Sequence, residues 1–296
     1  MSDFSEDVVV LTDAQRAALA AEKATCPFIA SAVSEGKLQV RNAADNPLAS
    51  IDDVRRLGNS GGGDLGDLLA FFATGNHGFM RGDSGRLDRR APSGLFSLEF
   101  PGSQGSHPGH SGILESDPNK PGSGRLSPAE LARLVVRAEG GLIKRSEVGR
   151  FIAENLRRDP DSKVFGKRVA LLIASDLAGF VNATGPALLG RLLGSDMEAR
   201  AAHRDWEAKL TKLLGEDNLV GSAGEWGLLF AFFANKPGAM DLDGEPTVTV
   251  EDLQGMFVHK RLPPGFETWK KLRIDWVTHT TALLISAGKE YLERGD

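Results

Sequence analysis

The chain has 296 residues, which is enough for one large domain or two small ones with an extensive core. Lys and Arg number 35 and Asp and Glu number 40, so the formal net charge is −5. A mildly acidic chain without blocks of like charge lacks the basic face of a nucleic-acid-binding protein. The single cysteine excludes an intramolecular disulfide, so the fold does not require an oxidising compartment.

The N-terminal segment and the most apolar stretch both argue against membrane insertion. Residues 1–11 are acidic and lack the basic start and long apolar run of a secretory signal, so a cytoplasmic location is favoured. The most apolar stretch, residues 169–194, contains Asp176, Pro186 and Arg191. These interruptions are more typical of a buried helical pair than of a membrane span.

Helical periodicity, cap residues and stop signals predict helices along most of the chain. In the N-terminal part they lie at 12–23 with Thr12 as the cap, after Cys26-Pro27 with Gly36 as the stop, from about Ser50, and at 65–74. Further along they lie at 128–138, 146–158, 164–180, 186–193, 198–214, 225–234, 249–257 and 269–293. Strand-like alternation is scarce, so we expect a mainly α fold.

The composition changes between about Gly75 and Arg125, where Gly, Ser, Pro, His and Arg dominate and periodicity fades. We expect a long loop here, and a loop of this length in a compact chain is usually functional or disordered. A helix start follows at once, because Ser127 is a typical cap, Pro128 suits the first helical position, and Glu130 stands three residues after the cap.

Four segments of the chain carry residue types that suggest chemistry. They are Cys26-Pro27 with a short helix ending at Glu35-Gly36-Lys37-Leu38, Glu115-Ser116-Asp117 with Asn119, Gly224-Glu225 at the start of an apolar helix, and residues 256–269 (MFVHKRLPPGFETW). In this order they resemble the haem-thiolate peroxidases, the family of chloroperoxidase and the unspecific peroxygenases (peroxidase family 2). The resemblance covers about residues 20–270, although the helical stretch at about 158–214 matches nothing in the family pattern.

This resemblance implies a fold, a cofactor and an activity. The fold would be a single mainly α domain of chloroperoxidase-like type over residues 1–296, with the long loop at about 75–125. The cofactor would be haem b, and hydrogen peroxide would serve to oxidise, oxygenate or halogenate a small organic substrate. The resemblance says nothing about which substrate is used or about the oligomeric state.

Cys26 would be the axial thiolate ligand of the haem, with Pro27 and Phe28 beside it. A thiolate ligand pushes electron density toward a bound peroxide and favours O–O cleavage. The thiolate needs stabilising donors, which the backbone N–H groups at a helix start supply, and Pro27 is well placed to begin that helix. The alternative is that Cys26 is a small buried apolar side chain, as many cysteines are.

Glu115, Asp117 and Asn119 would form a magnesium site beside a haem propionate, with Ser116 giving its backbone carbonyl. Carboxylates at positions i and i+2 and an amide oxygen at i+4 can converge on one hard cation if the chain turns. Ser-Asp-Pro-Asn-Lys-Pro-Gly is rich in turn formers, so a solvated turn is the alternative.

Glu225 would be the acid–base group that moves a proton between the two oxygens of the peroxide. Two positions depart from the family pattern here. Asn218 stands where long peroxygenases have an Arg, and Ser116 stands where chloroperoxidase and the shorter peroxygenases have a His. His107 or His110 could approach from the loop instead, and we take His110 as the candidate. The alternative is that Glu225 only favours a helix start electrostatically.

Two other functions compete with this interpretation. Asn119–Glu130 and Asp241–Asp252 both have an apolar eighth position and an acidic twelfth, which is typical of calcium-binding EF-hand loops. The first lacks acidic residues at positions one, three and five, and the second lacks the glycine at position six. The remaining alternative is a helical scaffold that retains the family's shape without its chemistry.

Overall fold

The computed structural model describes residues 8–22, 24, 26–41, 47–79, 95–101, 113–115, 125–159, 164 and 218–293. Within these residues helices dominate and the sheets are small, so the expected mainly α fold is confirmed. The helices expected at 164–180, 186–193 and 198–214 lie outside the described residues, apart from Val164. No helix in the described part of the chain is long and apolar enough to cross a membrane.

The helices are α1 (Asp13–Glu22), α2 (Pro27–Ser34), α3 (Ile51–Gly58), α4 (Gly66–Asn76), α5 (Pro128–Val135), α6 (Arg145–Arg158), α7 (Asn218–Phe233), α8 (Val250–Phe257) and α9 (Arg273–Glu293). Short 3₁₀ turns lie at Ser60–Gly62 and Phe266–Thr268. The strands are β1 (Val40–Arg41), β2 (Leu48–Ser50), β3 (His77–Phe79), β4 (Leu95–Pro101), β5 (Leu114–Glu115), β6 (Arg125–Leu126), β7 (Leu142–Lys144) and β8 (Thr247–Thr249).

The helix boundaries follow the local signals in the sequence. Thr12 and Gln15 form a reciprocal cap at the start of α1, because each backbone N–H donates to the other's side chain, at 2.9 and 3.3 Å. Helix α2 ends where Gly36 adopts a left-handed φ of +68°, as its stop signal predicts. Ser127 precedes α5 as expected, but its side chain makes no capping hydrogen bond.

The segment expected to be a long loop contributes four strands instead. Strands β3 and β4 complete an antiparallel sheet in the order β1-β2-β4-β3, with Ala49 opposite Phe96, and β5 pairs with β6. Residues 95–98 are all buried, so this strand presents a short continuous run without the alternation that marks a half-exposed strand. The expectation missed this strand because it depended on that alternation, and residues 80–94, 102–112 and 116–124 of the expected loop lie outside the described residues.

Helix α7 is the centre of the described fold, and 15 of its 16 residues are buried. It begins at Asn218 and not near Glu225 as expected, because burial compensates for the low helix propensity of Gly221 and Gly224. It packs against α6 and α9. At Gly227 the approach to α9 is so close that an added Cβ would overlap the Thr280 hydroxyl and lie 2.9 Å from the Thr280 nitrogen.

The start of α9 is fixed by a distant turn of the chain. Asp64 Oδ1 accepts a hydrogen bond from the Arg273 backbone N–H at 2.8 Å, and the Asp64 N–H donates to the Lys271 carbonyl at 2.9 Å. The helix therefore begins at Arg273, four residues later than expected, and Trp269 remains extended. Gly61, with φ +71°, lies directly against the Trp269 carbonyl, where no side chain fits.

His279 links α9 to the other two central helices. It is buried, its ring centroid lies 5.6 Å from that of Phe230 in α7, and its Nδ1 is 3.1 Å from Arg145 Nη1 at the start of α6. Burial, and then the Arg145 charge, lower the pKa of His279 to about 4. The native state therefore holds this imidazole neutral.

We expect Gly227→Ala to destabilise the fold by roughly 1–3 kcal/mol or more, because the extra methyl group overpacks the contact with Thr280. Gly255→Ala in α8 is the control, since the nearest atom to its added Cβ is the Arg261 carbonyl at 3.7 Å. It should be neutral or slightly stabilising through helix propensity. Urea unfolding measures both, and equal effects would contradict the close α7–α9 contact.

We expect stability to fall as the pH is lowered from 7 toward 4. An unfolded histidine binds its proton near pH 6.5, whereas His279 in the fold does so only near 4. Between these values the unfolded state binds more protons. Lowering the pH from 6.5 to 5 therefore reduces the free energy of unfolding by about 2 kcal/mol through this group. His279→Gln should flatten this dependence in thermal melts, whereas His259→Gln, at an exposed position, should not. An unchanged slope in His279→Gln would contradict the prediction.

Candidate functional site

An apolar cavity lies between α2, α4, α7 and α8, with a volume of about 400 Å³ that includes the part open to solvent. Its walls are Cys26, Pro27, Phe28, Leu69, Phe72, Glu225, Leu228, Leu229, Phe232, Met256 and Phe257. The structure thus brings together the first, third and fourth of the segments singled out in the sequence. Cys26 and Glu225 are the ionisable side chains in this lining.

Cys26 occupies the N-cap position of α2, with extended backbone angles of φ −84° and ψ 125°. Its carbonyl accepts the first helical hydrogen bond, from Ala30 N–H at 2.8 Å. Pro27 follows at the first helical position, where its missing N–H is not needed. Cys26 is therefore placed by local sequence signals at the end of a helix where amide N–H groups face outward.

Burial raises the pKa of the Cys26 thiol to about 11, and the nearby Glu225 charge adds to that rise. The backbone N–H groups of Ile29 and Phe28 act in the opposite direction, as does the Lys260 ammonium. Burial dominates, so the group is a neutral thiol at pH 7. A thiolate here requires a further positive charge at the sulfur, and a bound metal ion supplies one.

Glu225 lies in the middle of α7 and is only 7% exposed. Its predicted place at a helix start was therefore wrong, and with it the alternative that it merely complements a helix dipole. Glutamate side chains are rarely buried in an otherwise apolar wall, so such a group is a candidate for function. Asn218 begins the same helix seven residues earlier, about two turns away and therefore on the same face.

Two hydrogen bonds connect α2 to the segment at 256–269. The Glu35 carboxylate accepts from the Leu262 N–H at 3.1 Å, and Ser31 Oγ contacts the Met256 carbonyl at 3.4 Å. The Phe28 ring packs against Phe266, with 5.7 Å between centroids. These contacts fix the Cys26 end of the cavity against α8.

Lys260 is a residue near the site that the sequence did not single out. Its φ of +52° is the only left-handed value at a non-glycine residue within the described ranges. Its Nζ donates to the Phe257 carbonyl at 2.9 Å, and burial lowers the pKa of this ammonium while the Cys26 charge opposes that change. No periodicity or motif in the sequence signals a lysine folded back in this way.

The remaining predicted site residues are not brought to the cavity by the described structure. Glu115 ends β5, opposite Arg125 of β6. Ser116, Asp117, Asn119 and His110 lie outside the described residues. In the part of the chain that is described, no three His, Cys, Asp or Glu side chains come together as a metal site. The magnesium site and the role of His110 therefore stay predictions.

The donor chemistry of the cavity fits a haem-thiolate centre. The Cys26 sulfur, at a helix start, lies in an apolar cavity that also contains the Glu225 side chain. The fit is one of donor chemistry, since the cavity of about 400 Å³ is smaller than a porphyrin.

Comparisons of this chain with protein-family models, with curated proteins and with solved structures found no match. The assignment of function therefore depends on the geometry of the cavity and on the motif order in the chain.

We expect Cys26 to react slowly with iodoacetamide at pH 8, with a rate that rises about tenfold per pH unit up to pH 10, because its thiol pKa is about 11. Glu225→Gln should speed the reaction at pH 8, since it removes a negative charge that opposes the thiolate. The single cysteine makes mass spectrometry of the intact protein an unambiguous measurement. Glu251→Gln, at an exposed position of α8, is the control, and equal rates in both variants would contradict the proximity of Glu225 and Cys26.

Proposed function

We propose that this protein is a haem-thiolate peroxidase or peroxygenase with a chloroperoxidase-like fold. It would bind haem b and use hydrogen peroxide to oxidise, oxygenate or halogenate a small organic substrate. The observation that carries this proposal is that Cys26, at a helix start, and Glu225, in the buried helix α7, line one apolar cavity although they are far apart in the sequence.

Cys26 would hold the haem iron through its sulfur. The Phe28 and Ile29 N–H groups at the helix start would stabilise its negative charge. The Phe28 ring is anchored against Phe232, with 5.1 Å between centroids, so the helix start is held in place. When bound, the haem supplies the oxidising chemistry, because a thiolate ligand favours cleavage of the O–O bond.

Glu225 would hold and return a proton at its carboxylate. It takes the proton from one oxygen of hydrogen peroxide and gives it to the other, which makes the second oxygen a better leaving group. The apolar walls from Leu228, Leu229 and Phe232 limit the water that competes for that proton. Asn218 and Ser116 replace the usual partners of this glutamate, and His110 is the candidate substitute.

A magnesium ion would be held by the Glu115 and Asp117 carboxylates, the Ser116 carbonyl and the Asn119 side-chain oxygen. These are the hard oxygen donors that Mg²⁺ prefers. The ion would offset the charge of a haem propionate.

The test is an absorption spectrum of haem-loaded protein after reduction and addition of carbon monoxide. We expect the strongly red-shifted Soret band of a thiolate-bound haem, and we expect Cys26→Ala to lose it. Failure to bind haem would support the scaffold alternative, and a Cys26→Ala variant that keeps the band would contradict the ligand assignment.

Glu225→Gln should keep the Soret band but consume peroxide about 10²- to 10⁴-fold more slowly, the usual contribution of a positioned acid–base group. Stopped-flow loss of peroxide measures this, and Glu251→Gln serves as the control. An unchanged rate in Glu225→Gln would exclude its acid–base role while leaving the haem assignment intact.

A further inference from the structure

Two helix–loop–helix units face each other across a small sheet. The first is α5, β7 and α6, and the second is α7, β8 and α8. Strands β7 and β8 pair antiparallel, and Ile143 lies opposite Val248 at the centre. The second unit supplies two walls of the cavity, since α7 carries Glu225 and α8 carries Met256 and Phe257.

Both connecting loops have the spacing of a 12-residue calcium-binding loop. In residues 241–252, Val248 is the eighth position and Asp252 the twelfth. In residues 136–147, Gly141 is the sixth position with a left-handed φ of +80°, Ile143 the eighth and Glu147 the twelfth. The paired residues at the centre of the sheet are therefore the eighth positions of the two loops. The EF-hand partner that the sequence suggested, Asn119–Glu130, is not the segment that pairs with 241–252.

The first loop has no side-chain oxygen at positions one, three and five. Val136, Ala138 and Gly140 stand at positions one, three and five. The Glu147 carboxylate at position twelve is engaged by Arg137 at 3.5 Å and by Arg150. Two arginine side chains thus offset the charge at the twelfth position of this loop.

The second loop keeps its acidic residues, and the side chains of Asp241 and Glu245 are engaged by groups of the protein. Asp241 Oδ1 accepts from the N–H groups of Asp243 and Glu245, at 3.0 and 2.8 Å, and its Oδ2 lies 3.5 Å from Lys144 Nζ on β7. Glu245 Oε1 accepts from the Ser146 N–H at 2.7 Å, so it closes the start of α6 in the opposite unit.

Lys236 is a partly buried lysine in this cluster, with a side chain that is 23% exposed. Its ammonium pairs with the buried Asp252 carboxylate at position twelve. It also lies 5.9 Å from the Phe233 ring centroid and 5.7 Å from that of Trp269. Two aromatic faces and one carboxylate thus hold a positive charge beside a residue that would bind the metal in a calcium loop.

We propose that these two units form a paired calcium-loop module that works without a cation, with the Lys236 ammonium acting as a tethered replacement for the metal ion. Lys144 supplies a second charge at Asp241. The module keeps α7 and α8 in contact. The two cavity walls that these helices form therefore keep their positions both with and without divalent cations. This inference is independent of haem binding.

The first test is thermal unfolding of the Glu115→Gln/Asp117→Asn variant without added haem, in calcium or EDTA, so that the proposed magnesium site does not contribute. We expect the same Tm in both solutions, and no heat of binding when calcium is titrated in. A Tm that rises with calcium and falls with EDTA would overturn the proposal.

The second test is a double-mutant cycle on the Lys236–Asp252 pair. Lys236→Met should lower the Tm by several degrees because it leaves the Asp252 carboxylate buried and unpaired. Adding Asp252→Asn should restore much of that loss, and Lys236→Arg alone should have a small effect. Lys289→Met, at a lysine side chain that is 70% exposed, is the control. The proposal fails if Lys236→Met leaves the Tm unchanged, or if Lys236→Arg is as destabilising as Lys236→Met.

Discussion

The rest of the structure depends on the enclosure of α7. A helix that is apolar on every face is stable only if its neighbours cover all of them. Helices α6 and α9 cover two sides, and the approach at Gly227 is close enough to exclude a methyl group. The cavity lies where α2, α4 and α8 cover α7 incompletely, and Glu225 lies there, within that otherwise apolar wall. The candidate site is therefore a consequence of how this helix is buried.

Several groups near the cavity influence whether the Cys26 sulfur is protonated. Burial and Glu225 oppose a thiolate, whereas two amides and Lys260 favour it. The balance leaves a neutral thiol at pH 7 in an apolar setting, which makes the sulfur a poor nucleophile. Helix α8 forms another wall of the cavity. It directly follows β8, so the pairing of β8 with β7 helps to position this wall.

Local signals in the sequence predicted most helices because caps and stops act within one turn. Thr12, Pro27 and Gly36 fix boundaries in this way, whereas the start of α9 depends on Asp64, a partner far away in the sequence. The pairing of Cys26 with Glu225 was inferred from motif order, since no spacing rule connects residues so distant. The sequence did not indicate loop 136–147, because it lacks acidic residues at positions one, three and five. What remains of the calcium-loop pattern is the glycine at position six, the apolar eighth position and the final glutamate.

The contacts between Glu35 and Leu262, and between Asp64 and Arg273, also limit the order in which parts of the fold can form during synthesis. A ribosome that adds about 5–20 residues per second needs roughly ten seconds or more to travel between these partners. Throughout that interval Phe28 lacks Phe266, one of the rings that it packs against in the native fold. The native packing of the Cys26 end of the cavity therefore forms only after the C-terminal segment has been made. The part of the site that is synthesised first is thereby the last to be completed.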